Sequence, residues 1–387
     1  MKKRLLLLLI FIVLFVQVGC WDRIEVNDVA VVSATSIDRL ESGKFIVGEQ
    51  IPLPGAMGGA GSEGGGGGTT GGDPFYVDAG VGESVRRAQD DLQQRLSRSL
   101  RYGHRRVILF GKDAAKAGLG KKLDVLTRNI EGRLTTNVFM TEGQAIDVIA
   151  VNPELEQLGA EAIREIGNAR YEQSIGEFLK DFQRDGMDPM LPVVDVAENN
   201  NPNPEARSEQ VQIKRVGIFK EDQLEFITTE KESKGVSWMM ELMHGNYVTL
   251  PVGDRNYLNI WMKDQTATID YEIENDKPKF LVTIDTQAMI LENQSDLNLE
   301  EPSVFDTVEK ALKEEIEGHV NEIFTATLSR GIDTFGLGWL LRRREPNKWK
   351  EWKEHWRELL PELEIEITVE SPVQATGLTS KGIGVKE

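Results

Sequence analysis

Cysteine is almost missing from the sequence, and its scarcity limits both the fold and the chemistry. The 387 residues include a single cysteine, Cys20. A disulfide needs two thiols, so an exported form of this chain must be stabilised by its hydrophobic core alone. If Cys20 carries a covalent modification, no thiol remains for nucleophilic catalysis.

Histidine is also scarce, and its placement predicts neither a metal site nor a catalytic site. No two histidines lie at metal-ligand spacing, and the sequence has no His-Glu-x-x-His or Gly-x-Ser-x-Gly motif. The four residues are His104, His244, His319 and His355. We therefore predict a protein that is not an enzyme, with no catalytic residues, no metal and no cofactor.

Basic residues are outnumbered by acidic ones, 45 against 63, which gives a formal net charge of −18. Loss of residues 1–19 would remove three basic side chains and no acidic one, and would bring the net charge to −21. A surface of this sign repels phosphate backbones and anionic lipid headgroups. Nucleic-acid binding is therefore not expected, and stable attachment to a membrane would need a covalent anchor.

The N-terminus has the parts of a secretory signal peptide. Lys2, Lys3 and Arg4 precede an apolar run of 12 residues from Leu5 to Val16. This run is shorter than the roughly 20 helical residues that span a bilayer core, so it suits export better than a permanent span.

Cys20 follows the apolar run, with the small residue Gly19 just before it. This arrangement predicts a lipoprotein that is cut between Gly19 and Cys20, with S-diacylglycerol and N-acyl groups on Cys20. Two or three acyl chains hold a protein firmly at a membrane, whereas one binds only marginally. Gln17 departs from the usual pattern, where Leu, Val or Ile is expected. The alternative is an ordinary signal peptide that is cut elsewhere and leaves Cys20 as a buried apolar residue.

A glycine-rich stretch interrupts the chain at residues 55–72, where 11 of the 18 residues are glycine. Glycine loses the most backbone entropy on folding, so the stretch is predicted to be a flexible surface insertion. It lacks the Gly-Lys-Ser/Thr ending of a phosphate-binding loop, which disfavours nucleotide binding.

The hydrophobic pattern predicts an α+β fold of mixed α/β type, with several domains, mixed and antiparallel sheets, and long C-terminal amphipathic helices packed on a sheet. Strands are predicted at 26–38, 44–53, 105–111, 134–141, 210–219, 224–229, 266–274, 280–292 and 363–369. Helices are predicted at 82–100, 119–129, 144–150, 153–167, 174–184, 236–244, 304–328, 333–343 and 347–360. A turn is expected at Lys277-Pro278.

Composition also predicts the domain organisation. Residues 198–208 are rich in Asn and Pro and are predicted to be a linker, because such repeats resist both helix and central strand. The predicted parts are a signal peptide (1–19), an N-terminal α/β domain (20–197), the linker (198–208), a middle β-rich domain (209–262) and a C-terminal α/β domain (263–387).

Aromatic residues make up 7% of the chain, yet tryptophan is concentrated near the C-terminus. Trp349, Trp352 and Trp356 recur at helical spacing among basic residues, and Trp339 lies one helix earlier. One interpretation is a stripe packed against the sheet that ends with residues 363–369. The other is a surface that contacts a membrane protein or lipid headgroups, since tryptophan and arginine are frequent interface anchors.

Five segments resemble the Ger(x)C lipoproteins, the C subunits of nutrient germinant receptors in bacterial spores. They are GCWDR (19–23), RRVILFG (105–111), RVGIFKEDQL (215–224), FLVTIDTQAMILE (280–292) and DTFGLGWLLRRREPNKW (333–349). The resemblance covers nearly all of the chain after the signal, and the glycine-rich insertion and Gln17 depart from the family pattern.

The resemblance implies a lipid-anchored, non-enzymatic protein at the outer face of the spore inner membrane, with a three-domain α/β fold. It also implies two integral membrane subunits as partners, which respond with it to nutrients such as amino acids and sugars. An alternative function is a solute-binding lipoprotein that captures a small nutrient itself, in a cleft between two domains. An exported hydrolase is disfavoured because the sequence has no catalytic motif.

Overall fold

The computed structural model describes residue 4 and residues 25–55, 73–252, 256–295 and 297–374. The predicted lipidation site Cys20 and residues 56–72 of the glycine-rich stretch lie outside the described residues. Strands and helices alternate over the first half of the described chain, and long strands precede a long helix in the second half. The predicted α+β fold of mixed α/β type, with mixed and antiparallel sheets, is confirmed.

The strands are β1 (Val29–Val31), β2 (Ala34–Arg39), β3 (Phe45–Pro52), β4 (Phe75–Gly82), β5 (Ser99–Arg101), β6 (Val107–Gly111), β7 (Asn137–Thr141), β8 (Met190–Glu198), β9 (Glu209–Lys220), β10 (Gln223–Ile227), β11 (Tyr247–Val252), β12 (Asn256–Glu274), β13 (Lys277–Asn293), β14 (Glu364–Glu370) and β15 (Val373–Gln374). The helices are α1 (Val85–Gln93), α2 (Lys112–Lys116), α3 (Gly120–Arg128), α4 (Ala145–Ile149), α5 (Gly159–Arg170), α6 (Ile175–Phe182), α7 (Glu230–Met239), α8 (Pro302–Leu328), α9 (Leu337–Arg344), α10 (Pro346–Trp352) and α11 (Trp356–Leu359).

An eight-stranded mixed sheet organises the first half, in the order β10-β9-β8-β7-β6-β2-β3-β4. Its centre, β2-β6-β7-β8, is parallel, and antiparallel strands complete both sides. Every residue of β6 and β7 is buried, as expected for parallel strands covered by helices on both faces. Separate hydrophobic clusters fill the two faces. A small parallel sheet, β1-β5, adjoins the end at which β2 and β6 begin.

The Asn/Pro-rich segment 198–208 is a hairpin loop in this sheet. The strands on either side of it pair with each other, so the segment does not divide the sheet between two domains as predicted. β8 and β9 pair antiparallel up to Glu198 and Glu209. The Asn199 side chain donates to Ser208 Oγ at 2.9 Å, and the Asn199 backbone N–H donates to Ser208 O at 3.0 Å. Asn and Pro favour turns as much as linkers, so composition alone could not distinguish the two.

A second sheet has the order β11-β12-β13-β14, with β15 also paired to β13. β12 and β13 form a long hairpin, with Asn275 and Asp276 at its tip in the left-handed conformation (φ 49° and 62°). This is the backbone of a tight two-residue hairpin turn, so the turn precedes the predicted Lys277-Pro278. The domain boundary predicted between residues 262 and 263 falls inside β12, at a β-bulge that leaves Lys263 without a partner, and the pairing with β13 continues on both sides of it.

The long amphipathic helix predicted at 304–328 is confirmed as α8. Its buried apolar residues include Val308, Leu312 and Ile316, and they share one hydrophobic cluster with the inward-facing residues of β13. β14 adds to the far side of β13 as a parallel strand, which confirms the late strand predicted at 363–369.

Several predicted helices differ from those observed, among them the helix predicted at 236–244, which is α7 (Glu230–Met239). The helix predicted at 82–100 ends at Gln93, and its last residues form β5, because Leu96 and Leu100 pack in a satellite cluster with residues of the β1 region. The helix predicted at 153–167 begins only at Gly159. The segment 347–360 is broken into α10, a 3-10 turn and α11.

Candidate functional site at the junction of the two halves

The structure places the four tryptophans of the predicted interface in two different environments. Trp349, Trp352 and Trp356 are buried, with 5%, 8% and 4% of their surface exposed. They belong to the hydrophobic cluster of the second half, and the rings of Trp349 and Trp356 make an edge contact at 5.3 Å. At these three positions the structure favours the core interpretation over a partner-binding surface.

Trp339 is only partly buried and remains a candidate for a partner or lipid contact. Two guanidinium groups cover its ring, Arg184 at 5.0 Å and Arg342 at 5.3 Å from the ring centroid. The Trp339 backbone N–H donates to Gly186 O at 3.0 Å. This tryptophan therefore lies where the loop before β8 contacts the start of α9.

Asp333 organises the turn that leads into α9. Its carboxylate accepts the backbone N–H groups of Leu337 and Gly338 at 2.8 and 2.7 Å. It also accepts the indole Nε1–H of Trp356 at 2.9 Å. Burial raises the pKa of Asp333 to about 7, against these three hydrogen bonds, which favour the ionised form. The carboxylate fixes the DTFGLG segment to the tryptophan of a later helix.

Asp188, from the loop before β8, forms the central ion pair of the junction. Its buried carboxylate accepts both terminal nitrogens of Arg357, at 3.0 and 2.9 Å. It also accepts the backbone N–H groups of Asp333 and Glu221, at 2.9 and 2.8 Å. A bidentate Arg–carboxylate pair is strong and directional. Asp188 therefore connects three chain segments, and we call Asp188, Asp333 and Arg357 the carboxylate clip.

Two glycines let the backbones meet beside the clip. A Cβ on Gly186 would lie 2.6 Å from the Cα of Gly338, and a Cβ on Gly338 would lie 2.7 Å from Trp349 and Trp356 atoms. Gly186 also has φ of +75°, which most side chains do not tolerate. Only glycine fits at this crossing.

A cleft of about 230 Å³ opens at this junction, lined by residues of the loop before β8 and of the α10–α11 region. Asp188 and Asp333 both line it, but their oxygens already accept the donors described above. Among the residues that the structure describes, no group of three or more His, Cys, Asp or Glu could hold a metal ion. The arrangement joins the loop before β8 to the segments that contain Asp333 and Arg357.

A second buried ionic network lies under α1. Glu49 on β3 accepts the Thr35 hydroxyl at 2.5 Å and the Gln89 amide at 3.1 Å, and burial raises its pKa to about 7. The buried Arg105 donates to Thr35 at 3.4 Å and stacks 5.5 Å from the Tyr102 ring centroid. The network ties β2 and β3 to the segment before β6.

The sequence pattern did not identify the clip. Asp333 falls in a segment that carried the family resemblance, but Asp188 and Arg357 are 169 residues apart and belong to no motif. The sequence feature nearest to the clip is the placement of two glycines, because Gly186 precedes Asp188 and Gly338 follows Asp333.

Comparison with known proteins agrees with the fold and the site. Residues 22–196 match the family described as spore germination protein N-terminal domain, and residues 214–377 match the family described as spore germination B3/GerAC like, C-terminal. Both sides of the clip lie in these regions, Asp188 in the first and Asp333 with Arg357 in the second.

Curated relatives match along almost the whole chain. The chain is 30% identical to the putative spore germination protein YfkR of Bacillus subtilis (strain 168), over 98% of each chain. It is 25% identical to spore germination protein KC of the same organism, over 99% of this chain and 98% of that one. It is 22% identical to spore germination protein GerQC of Bacillus cereus, over 98% and 100% of the two chains.

The crystal structure of the GerBC protein has the same fold, with a TM-score of 0.56 at 17% identity, over 90% of this chain and 99% of that one. The expected family is confirmed by both matched regions and by the relatives. The chain belongs to the Ger(x)C family of spore germination proteins.

Proposed function

We propose that this protein is a lipid-anchored, non-enzymatic subunit of a spore nutrient germinant receptor. It is attached through Cys20 at the outer face of the spore inner membrane and acts beside two integral membrane subunits. The observation that carries the proposal is the family match over residues 22–196 and 214–377, nearly all of the chain after the signal. The curated relatives are named as spore germination proteins, and their lengths match this chain almost completely.

The buried polar groups support a role in contact rather than in catalysis. Asp188, Asp333 and Glu49 each use their carboxylate oxygens on donors of this chain. A catalytic acid or base must instead reach a substrate atom within hydrogen-bond distance. No helix among the described residues is long and apolar enough to cross a membrane.

Trp339 is the residue through which we propose contact with a membrane subunit. Its ring is partly exposed and stacked with two arginines, a combination that is common at interface anchors. A photocrosslinker at position 339 is expected to capture a membrane subunit, whereas one at the buried Trp352 is not. Equal capture at both positions would contradict the assignment.

Substitution of Cys20 tests the anchor. Spores that carry Cys20→Ala should lose germination through this receptor, since no thiol remains for lipid transfer. Gly19→Ala keeps a small residue before the cleavage site and is the matched control, with germination preserved. Normal germination of the Cys20→Ala spores would show that the anchor is not needed. The intact mass of the mature protein provides the chemical check, with an acylated cysteine expected as its first residue.

A solute-binding lipoprotein is the second candidate. The junction cleft, at about 230 Å³, is below the roughly 300–1,000 Å³ of typical ligand pockets. A cavity of about 540 Å³, lined in part by Leu53 and Pro54, lies within that range. A nutrient present at 100 times its dissociation constant would stabilise the protein by about 2.7 kcal/mol. A thermal shift of the purified protein with amino acids and sugars would support this candidate, and none is expected if the protein acts by contact.

A further inference from the structure

A basic surface lies at one end of the eight-stranded sheet, although the protein as a whole is strongly acidic. The segment 98–106, RSLRYGHRR, contains four arginines, one histidine and no acidic residue. It forms β5 and the approach to β6. Arg105 is buried and Arg101 pairs with Glu131 at 3.0 Å, which leaves Arg98 and Arg106 without an ion pair to any described residue. His104, Arg106 and Arg133 line one pocket of about 200 Å³ together with Arg164 and Glu172. Arg164 is paired with Glu161 and Glu165, whereas Arg106 and Arg133 form no ion pair with any described residue.

This surface lies at the same end of the sheet as the N-terminal segment. Strand pairing aligns Ala34 of β2 with Gln50 of β3 and Val107 of β6, and aligns Val107 with Asn137 of β7. Residues 104–106 directly precede Val107 in this row, and residues 129–136 directly precede Asn137. The first strand, β1, pairs with β5, and the Arg106 backbone N–H donates to Ser33 O at 2.8 Å.

Exposed apolar side chains accompany the basic ones. Ile130 is fully exposed and Leu134 is 56% exposed, and both flank Arg133 in the loop before β7. Tyr76, on the edge strand at this end, is 43% exposed. Next to it, Leu53, Pro54 and other apolar residues line a cavity of about 540 Å³. Arginine with exposed apolar side chains is the composition of surfaces that lie at a lipid headgroup layer.

We propose that this end of the sheet, which we call the headgroup surface (Arg98, His104, Arg106, Ile130, Arg133 and Leu134), lies against an anionic phospholipid bilayer. The proposal rests on the proposed lipid anchor and goes beyond it, because it assigns the orientation of the protein at the membrane. Cys20 precedes Val29 of β1 by nine residues, so the chain places the anchor at most about 31 Å from this end. Arg98, Arg106 and Arg133 attract anionic headgroups, and the net charge of −21 that remains after loss of residues 1–19 turns the rest of the protein away.

A fluorescent probe at position 130 tests the orientation. The full-length lipoprotein with Ile130→Cys is labelled with an environment-sensitive dye and reconstituted into vesicles of phosphatidylglycerol and phosphatidylethanolamine. We expect emission at shorter wavelength than in detergent-free buffer, because the dye enters the headgroup layer. Lys121→Cys, exposed at the start of α3, is the matched control and should remain in water.

The wild-type protein separates failure of the anchor from failure of the orientation. Cys20 is its only cysteine, so dye on the wild-type protein would mean a free thiol and would overturn the anchor. If the wild-type protein stays unlabelled and the dye at position 130 remains in water, the proposed anchor stands and the proposed headgroup surface is overturned. A probe that becomes buried only when the membrane subunits are present would also overturn it, in favour of a protein partner.

Charge reversal tests the electrostatic part. In a Cys20→Ser chain, Arg106→Glu with Arg133→Glu should weaken binding to phosphatidylglycerol vesicles at least tenfold in a flotation assay. Arg39→Glu with Lys121→Glu makes the same change in net charge away from the headgroup surface and should have much less effect. Equal loss in both double variants would mean that only net charge matters and would overturn the proposal.

Discussion

The carboxylate clip makes a quantitative prediction about the stability of the junction. Asp188→Ala removes an acceptor for both terminal nitrogens of Arg357 and for two backbone N–H groups. Loss of one partner from a buried ion pair typically costs about 3–5 kcal/mol. The Arg357 side chain is 37% exposed, and water can solvate part of the freed charge. We therefore expect a loss near the lower limit, about 3 kcal/mol.

Asp185→Ala is the matched control, because Asp185 is in the same loop and also pairs with an arginine. Its partner Arg342 lies at 3.0 Å, but the Asp185 side chain is 62% exposed. An exposed pair contributes about 0–1 kcal/mol. Urea unfolding of both variants, followed by tryptophan fluorescence, gives the two free energies. A difference below about 0.5 kcal/mol between the variants would refute the assignment of the clip, since surface substitutions vary by that amount.

Other substitutions test the core, the glycine crossing and the buried acids. Trp352→Ala should lower the free energy of unfolding by about 3–5 kcal/mol, and Trp339→Ala by much less, because only Trp352 is buried; equal losses in urea unfolding would contradict this. Gly338→Ala should cost about 1–3 kcal/mol, since its Cβ would meet two tryptophan side chains at 2.7 Å, whereas Gly318→Ala in α8 meets nothing and should stabilise the helix by about 0.5–1 kcal/mol. Burial raises the pKa of Glu49 from 4.5 to about 7, so the folded protein binds this proton more tightly than the unfolded chain. Stability should therefore fall as pH rises from about 5 to 8, and Glu49→Gln should reduce that slope in urea midpoints measured across the range; an unchanged slope would refute the assignment.

The sequence predicted elements whose pattern is local. The hairpin β9–β10, the long helix α8 and the alternating strand β14 were all predicted within a few residues of their observed bounds. Each has a clear period of two or 3.6 residues and apolar positions on one face. Burial then followed the predicted period, as it does along α8.

The remaining features depend on contacts between distant residues. β8 contains Pro192 and was not predicted as a strand, although it pairs with β9 on one side and with β7 on the other. Proline is uncommon in central strands, so the local signal opposed the observed structure. The segment 347–360 has helical spacing, yet it bends so that the Trp356 indole reaches Asp333. This hydrogen bond joins residues 23 positions apart, and periodicity does not encode it.

The paired strands at the middle of the chain constrain how its two halves can separate. The two family matches end at residue 196 and resume at residue 214, which are positions in the hydrogen-bonded neighbours β8 and β9. Separation there would expose the unpaired edge of β8, and an unpaired central strand is a site for aggregation. Arg357 and Asp188 join the same two regions a second time, at the start of β8. A movement of one half relative to the other would therefore disturb both the β8–β9 pairing and the Asp188–Arg357 ion pair.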